Sequence, residues 1–171
     1  MHIIYCGMKN MTDAKKRNLY LMFIPLSGVL LASAWHFLYD LVPCPFVGAF
    51  APVNESVWEH LKIVFYPFLI LWPVGYVFKY SRVDTVSYAL AGAVGAAVAA
   101  MSVVAFDYFV NGILGVKQIL PVHIINCAAA FAAGAALGYP ITKISDRNAE
   151  IILPIFTALI VAACVYGSVS A

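Results

Sequence analysis

The sequence predicts an all-α polytopic membrane protein: a compact bundle of five transmembrane helices, N-terminus inside and C-terminus outside. Three observations carry this expectation. Of the 171 residues, 64% are hydrophobic and 11% charged, whereas an ordinary soluble domain carries about 25% charged residues. The mean hydropathy is +0.92, so the chain has too few polar groups to cover a water-facing surface. The apolar residues also run on continuously for close to the ~20 positions a helix needs to cross a bilayer. In lipid only helices and closed barrels satisfy the backbone, and barrel strands alternate where these stretches do not.

The elements follow in order within a single integral-membrane domain, 1–171. Residues 1–18 form a cytoplasmic tail that closes on Lys15, Lys16 and Arg17, with Met8 and Met11 available as later starts. The apolar run behind the tail is too long for a signal peptide and has no evident cleavage site, so it is a retained helix. Spans fall at about 19–42, 57–78, 85–107, 121–142 and 151–170. The breaks hold Pro43, Pro45 and Pro52, then Lys79 to Asp84, then Asn111 to Pro121, then Lys143 to Glu150. Segments 43–56 and 108–120 are expected to be short structured outer loops.

Orientation follows from the basic residues. With the N-terminus inside, Lys9, Lys15, Lys16, Arg17, Lys79, Arg82, Lys143 and Arg147 are cytoplasmic, and only Lys62 and Lys117 are outside. That bias obeys the positive-inside rule and places the chain in the cell membrane, against membrane lipid. Nucleic acid is excluded as a partner, because ten Lys and Arg against eight Asp and Glu leave a net charge of only +2.

Spans three and four carry small residues every fourth position: Ala91, Gly95 and Ala99, then Gly92, Ala96 and Ala100, then Ala130, Gly134 and Gly138. Such rows let backbones approach closely. They serve packing within one bundle or, as the alternative, a homo-oligomer through the same faces.

The remaining polar residues gather toward one leaflet. Asp40, Glu55, Glu59 and Asp107 lie at the outer ends of spans, as do His36, His60 and His123 with Asn54, Asn111 and Asn126. Ionisable groups within spans are costly and usually face a bundle interior, paired with one another. His36 and Asp40 are four apart and share a helical face; His123 and Asn126, three apart, do the same. Asn54 is expected to cap helix two. Glu55, Glu59 and Lys62 share a stripe that also reads as a surface salt-bridge ladder.

Histidines with carboxylates suit a general base or a divalent metal such as zinc, whose bound water becomes a nucleophile near neutral pH. The candidate catalytic residues are His36, Asp40, Glu59 and His60; Asn54, Glu55 and Asn126 are candidates for substrate binding. His36, Asp107 and His123 form the candidate metal set. No HExxH, GxSxG, Walker or GxGxxG motif is present. Cys6, Cys44, Cys127 and Cys164 form no CxxC. Trp35, Trp58, Tyr39 and Tyr108 read as an outer aromatic belt, and Trp72, Tyr76 and Tyr80 as an inner one.

The segment from HFLYD through FAPVNESVWEHLK, His36 to Lys62, resembles an uncharacterised family of small bacterial multi-pass membrane proteins, a domain of unknown function. PVNESVWEHLK is its most specific string. The resemblance implies a bacterial multi-pass protein and carries no activity with it. The residues themselves point first to a membrane-embedded hydrolase or transferase, metal-assisted, acting on a lipid or amphiphile from the extracytoplasmic side. The alternatives are a protein that binds or transports an ion, proton or small solute, and a structural or assembly partner.

Overall fold

The structure, a computed structural model, describes residues 13–77, 85–115 and 119–142, together with 148, 151, 152, 155, 156 and 159. Helix α1 is Asp13–His36, followed by the short helices α2, Leu38–Leu41, and α3, Pro45–Phe50. Helix α4 is Val57–Val77 and α5 is Thr85–Asp107; α5 runs on as a π-helical segment, Tyr108–Ile113, before α6, Leu120–Ile141. Among the described residues four stretches are long and apolar enough to cross a membrane: Asn18–Leu41, Val57–Val74, Thr85–Ile113 and Leu120–Ile141. The expected fifth span, 151–170, lies outside the described residues apart from single positions.

Local chemistry sets these boundaries. Pro45 and Pro121 stand in the first turns of α3 and α6, where the missing N–H would have had no intrahelical acceptor. Span three does not end at Asp107 as the sequence suggested. The Leu114 N–H bonds to the Phe109 carbonyl at 3.1 Å, continuing the helix with a wider ring. It stops at Gly115, whose φ of +63° is the left-handed conformation that commonly ends a helix. At the end of α1, Phe37 adopts φ −92° and ψ 2°, which interrupts the helix between His36 and Asp40.

The four long elements pack in a ring, α1 against α4 and α6, and α5 against α4 and α6, with α4 and α6 on the diagonal. The small-residue rows lie inside this ring. A side chain at Gly95 would meet the Gly134 carbonyl at 2.8 Å, and one at Gly138 would meet the Ala91 carbonyl at 2.7 Å. The rows through Gly95 and Gly134 are therefore used for contact between α5 and α6 of one chain, while Gly92 makes room for Trp72 of α4.

The core is aromatic and lies in the half of the bundle away from the histidines. Phe68 stacks on Trp72 at 5.6 Å and on Phe131 at 6.1 Å between ring centroids. Trp72 is buried, not an interfacial belt residue as its position near the end of a hydrophobic run implied. Its indole N–H donates to the Tyr88 carbonyl at 3.0 Å, and the Tyr88 hydroxyl donates back to the Trp72 carbonyl at 2.9 Å. The Tyr20 hydroxyl donates to that carbonyl as well, at 2.5 Å. Polar tips inside an apolar core need such partners, and here they tie α1, α4 and α5 together. The inner-belt residue Tyr80 lies outside the described residues.

Candidate functional site

The site is built at the end of the ring where α1 finishes, α4 begins, α5 finishes and α6 begins. The loop from Pro43 to Ser56 crosses it and is fastened by a buried ion pair. Glu59 and Lys62 are each 3% exposed. The Lys62 ammonium lies 2.9 Å from both Glu59 oxygens and donates to the Gly48 carbonyl, also at 2.9 Å. Glu59 Oε2 in turn accepts the Val53 N–H at 2.9 Å. With both oxygens taken, Glu59 holds the loop and is not free beside His60 as a catalytic carboxylate. The surface ladder through Glu55 does not form either, because α4 begins only at Val57.

Helix α4 is capped by Ser56, not Asn54. The Ser56 hydroxyl accepts the Glu59 N–H at 3.3 Å, while the Asn54 side-chain oxygen accepts the Ser56 N–H at 2.9 Å. That turn lifts Glu55 off the helix and swings it over two histidines. Glu55 Oε1 is 3.4 Å from His36 Nε2, and Oε2 is 3.4 Å from His60 Nε2. The two imidazoles stack with centroids 5.8 Å apart. His60 Nδ1 is 2.8 Å from the Ser56 carbonyl. A carbonyl only accepts, so Nδ1 carries the proton and Nε2 is the nitrogen turned to Glu55.

Below this trio is a cavity of about 370 Å³ between α1, α4, α5 and α6. Ser33, His36, His60, His123, Asn126 and Cys127 supply its polar lining, and residues such as Val29, Ala32, Val64 and Val103 its apolar walls. Ser33 donates to the Val29 carbonyl at 2.8 Å, so its hydroxyl proton is already engaged. Asn126 is 8% exposed as a residue, and its side chain makes no hydrogen bond to any described residue. His36 Nδ1 is likewise buried without a hydrogen-bond partner among the described residues.

The expected site residues thus divide. His36, His60, His123 and Asn126 line one cavity, with Glu55 bridging the first two. Asp40 does not join them: the break at Phe37 removes the shared face, Asp40 is exposed, and no hydrogen bond or ion pair reaches it among the described residues. Asp107 is 8% exposed and accepts a 2.6 Å hydrogen bond from the Asn111 amide, away from the cavity lining. Among the described residues no group of three or more His, Cys, Asp or Glu is placed to hold a metal ion. The set His36, Asp107 and His123 is therefore not assembled, because Asp107 is committed to the π-helical segment. The residues left out of the candidate set are Ser33 and Cys127, which line the cavity, and the fastener Lys62. A signal for the fastened start of α4 was present: Ser56 followed three residues later by Glu59 is the spacing of a capping box.

A family model described as a family of unknown function (DUF6512) matches residues 8–169. The chain belongs to that family. No curated protein and no solved structure matched it. The match covers all four long elements and the loop fastened by Glu59 and Lys62, so the cavity of this DUF6512 protein lies wholly within the matched region.

Proposed function

We propose that this protein is a membrane-embedded enzyme that hydrolyses a lipid or amphiphile, or transfers a group on it, at the His36–Glu55–His60 trio. One observation carries the reading: a single carboxylate bridges two histidines from different helices at the polar end of an otherwise apolar cavity. His60 Nε2 accepts a proton from water or from an acceptor hydroxyl as that oxygen attacks an ester carbon. Glu55 stabilises the imidazolium, and the proton then goes to the departing alkoxide. A general base of this kind contributes about 10²–10⁴ in rate.

The site faces the extracytoplasmic side in this reading. Its support is the excess of Lys and Arg in the tail and in the breaks at 79–84 and 143–150. Lys62 counts little against it, since that charge is spent on Glu59. Carriage of a solute through the bundle is less well supported, because the stacked Phe68 and Phe131 fill the centre below the cavity.

The test is mass spectrometry of lipids before and after incubation with purified protein in nanodiscs made from a total polar lipid extract. The reading expects one lipid class to fall and a cleaved or transferred product to rise, with both changes lost in Glu55→Gln and His60→Ala. An unchanged lipid profile under wild-type protein would contradict it.

A further inference from the structure

We infer that the cavity takes a single-chain amphiphile whose polar group next to the chain is a hydroxyl or amide, seated on Asn126. The inference deepens the proposed function by naming the substrate class, and it rests on that reading only for the chemistry, not for the binding.

Two features point to this occupant, and the first is the size of the cavity. Next to Val29, the first lining residue on α1, Phe131 carbons lie within 2.6 to 2.8 Å of the position of a side chain added at Gly28, so α1 and α6 leave no space there. Along α1 the lining runs from Val29 to Phe37, about 12 Å at ~1.5 Å per residue. That depth is shorter than the ~15 Å of one leaflet. An apolar cavity of ~150 Å³ holds one benzene ring. On that scale the 370 Å³ here, in a cavity that opens to the surface, has room for roughly fifteen carbon atoms, about one chain.

Asn126 supplies the second, independent feature. Asn126 is 8% exposed as a residue, and its amide lines the cavity with no hydrogen-bond partner among the described residues. An amide presents both a donor and an acceptor. A hydroxyl or an amide on the ligand answers both, whereas a bare carboxylate or a quaternary ammonium answers one or neither. His123, one turn earlier on the same helix and in the same lining, faces the next atoms of the head. Because Asn126 lies beside apolar walls and His60 beside Glu55, the ligand is oriented chain inward and head toward the carboxylate.

The experiment is a binding series with N-acylethanolamines, which carry an amide next to the chain, of increasing chain length, against dipalmitoyl phosphatidylcholine as the two-chain comparator. Displacement of a dansylated undecanoyl probe from purified protein in nanodiscs is the readout. Affinity should rise with chain length, stop rising at about twelve to fifteen carbons, and be absent for the two-chain lipid. Asn126→Leu, of similar size and apolar, should keep the protein folded and weaken N-acylethanolamine binding about tenfold. Val29→Phe, which shortens the cavity, should move the plateau to shorter chains. Affinity that climbs evenly through eighteen carbons and ignores both variants would be membrane partition alone and would overturn the inference. A length plateau without lipid turnover would leave this inference standing and remove the enzyme reading; turnover without a plateau would do the reverse.

Discussion

Glu59 and Lys62 stand one helical turn apart on α4, both 3% exposed, with the ammonium 2.9 Å from each carboxylate oxygen. The pair spans more than its own helix, since Lys62 also holds the Gly48 carbonyl and Glu59 the Val53 N–H. The two buried charges satisfy each other and two backbone groups of the loop, which is fixed to α4 as a consequence. Lys62→Met should lower stability by about 3–5 kcal/mol, because it leaves a buried carboxylate uncompensated. The double change Glu59→Leu with Lys62→Met should recover part of this, leaving the loss at Gly48 and Val53. Thermal unfolding of the purified protein in detergent measures both; a lone Lys62→Met within error of wild type would show that the pair does not hold the loop.

Glu55 should behave in the opposite way. Its side chain is 77% exposed, so Glu55→Gln should change stability by no more than about 0.5 kcal/mol. Turnover of the substrate class identified by lipid profiling should nevertheless fall by about 10²–10⁴. A variant with normal turnover would show that the bridge is decoration.

The close approach of α5 and α6 offers a paired test. A side chain at Gly134 would strike the Gly95 carbonyl and the Phe68 ring, whereas nothing lies within 4 Å of one at Gly112. Gly134→Leu should therefore destabilise by at least ~1–3 kcal/mol through overpacking. Gly112→Ala should be neutral or stabilise by up to ~1 kcal/mol. Equal effects at the two sites, read from unfolding midpoints, would contradict the packing described for these helices.

Orientation is checked by labelling. In a cysteine-free background, Val53→Cys, at a residue 47% exposed in the loop, should react with an impermeant maleimide in intact cells. Lys15→Cys, exposed at the start of α1, should react only after permeabilisation. The reverse pattern would move the site to the cytoplasmic face.

The spans were legible because burial in lipid demands long apolar runs, and the α5–α6 contact because small residues recur at every fourth position. What escaped was set by single residues that break periodicity. The spacing of Glu55, Glu59 and Lys62 is helical on paper, but Ser56 starts the helix after Glu55, so the first glutamate turns to the histidines and the second to the lysine. His36 and Asp40 are separated in the same manner by the turn at Phe37. Asp107 looked like a terminus because a charge ended an apolar run, yet the wider π-helical ring carried the chain onward. Trp72 looked interfacial because composition cannot tell an indole bonded to the Tyr88 carbonyl from one bonded to water.

The central claim is that Glu55 joins His36 and His60 into one site, and imidazole nitrogen NMR of ¹⁵N-histidine-labelled protein tests it most directly. Signals are assigned by single replacement of each histidine. In Glu55→Gln both the His36 and His60 Nε2 signals should shift together, because each lies 3.4 Å from an oxygen of the same carboxylate. Movement of only one of the two, or of neither, would contradict the account.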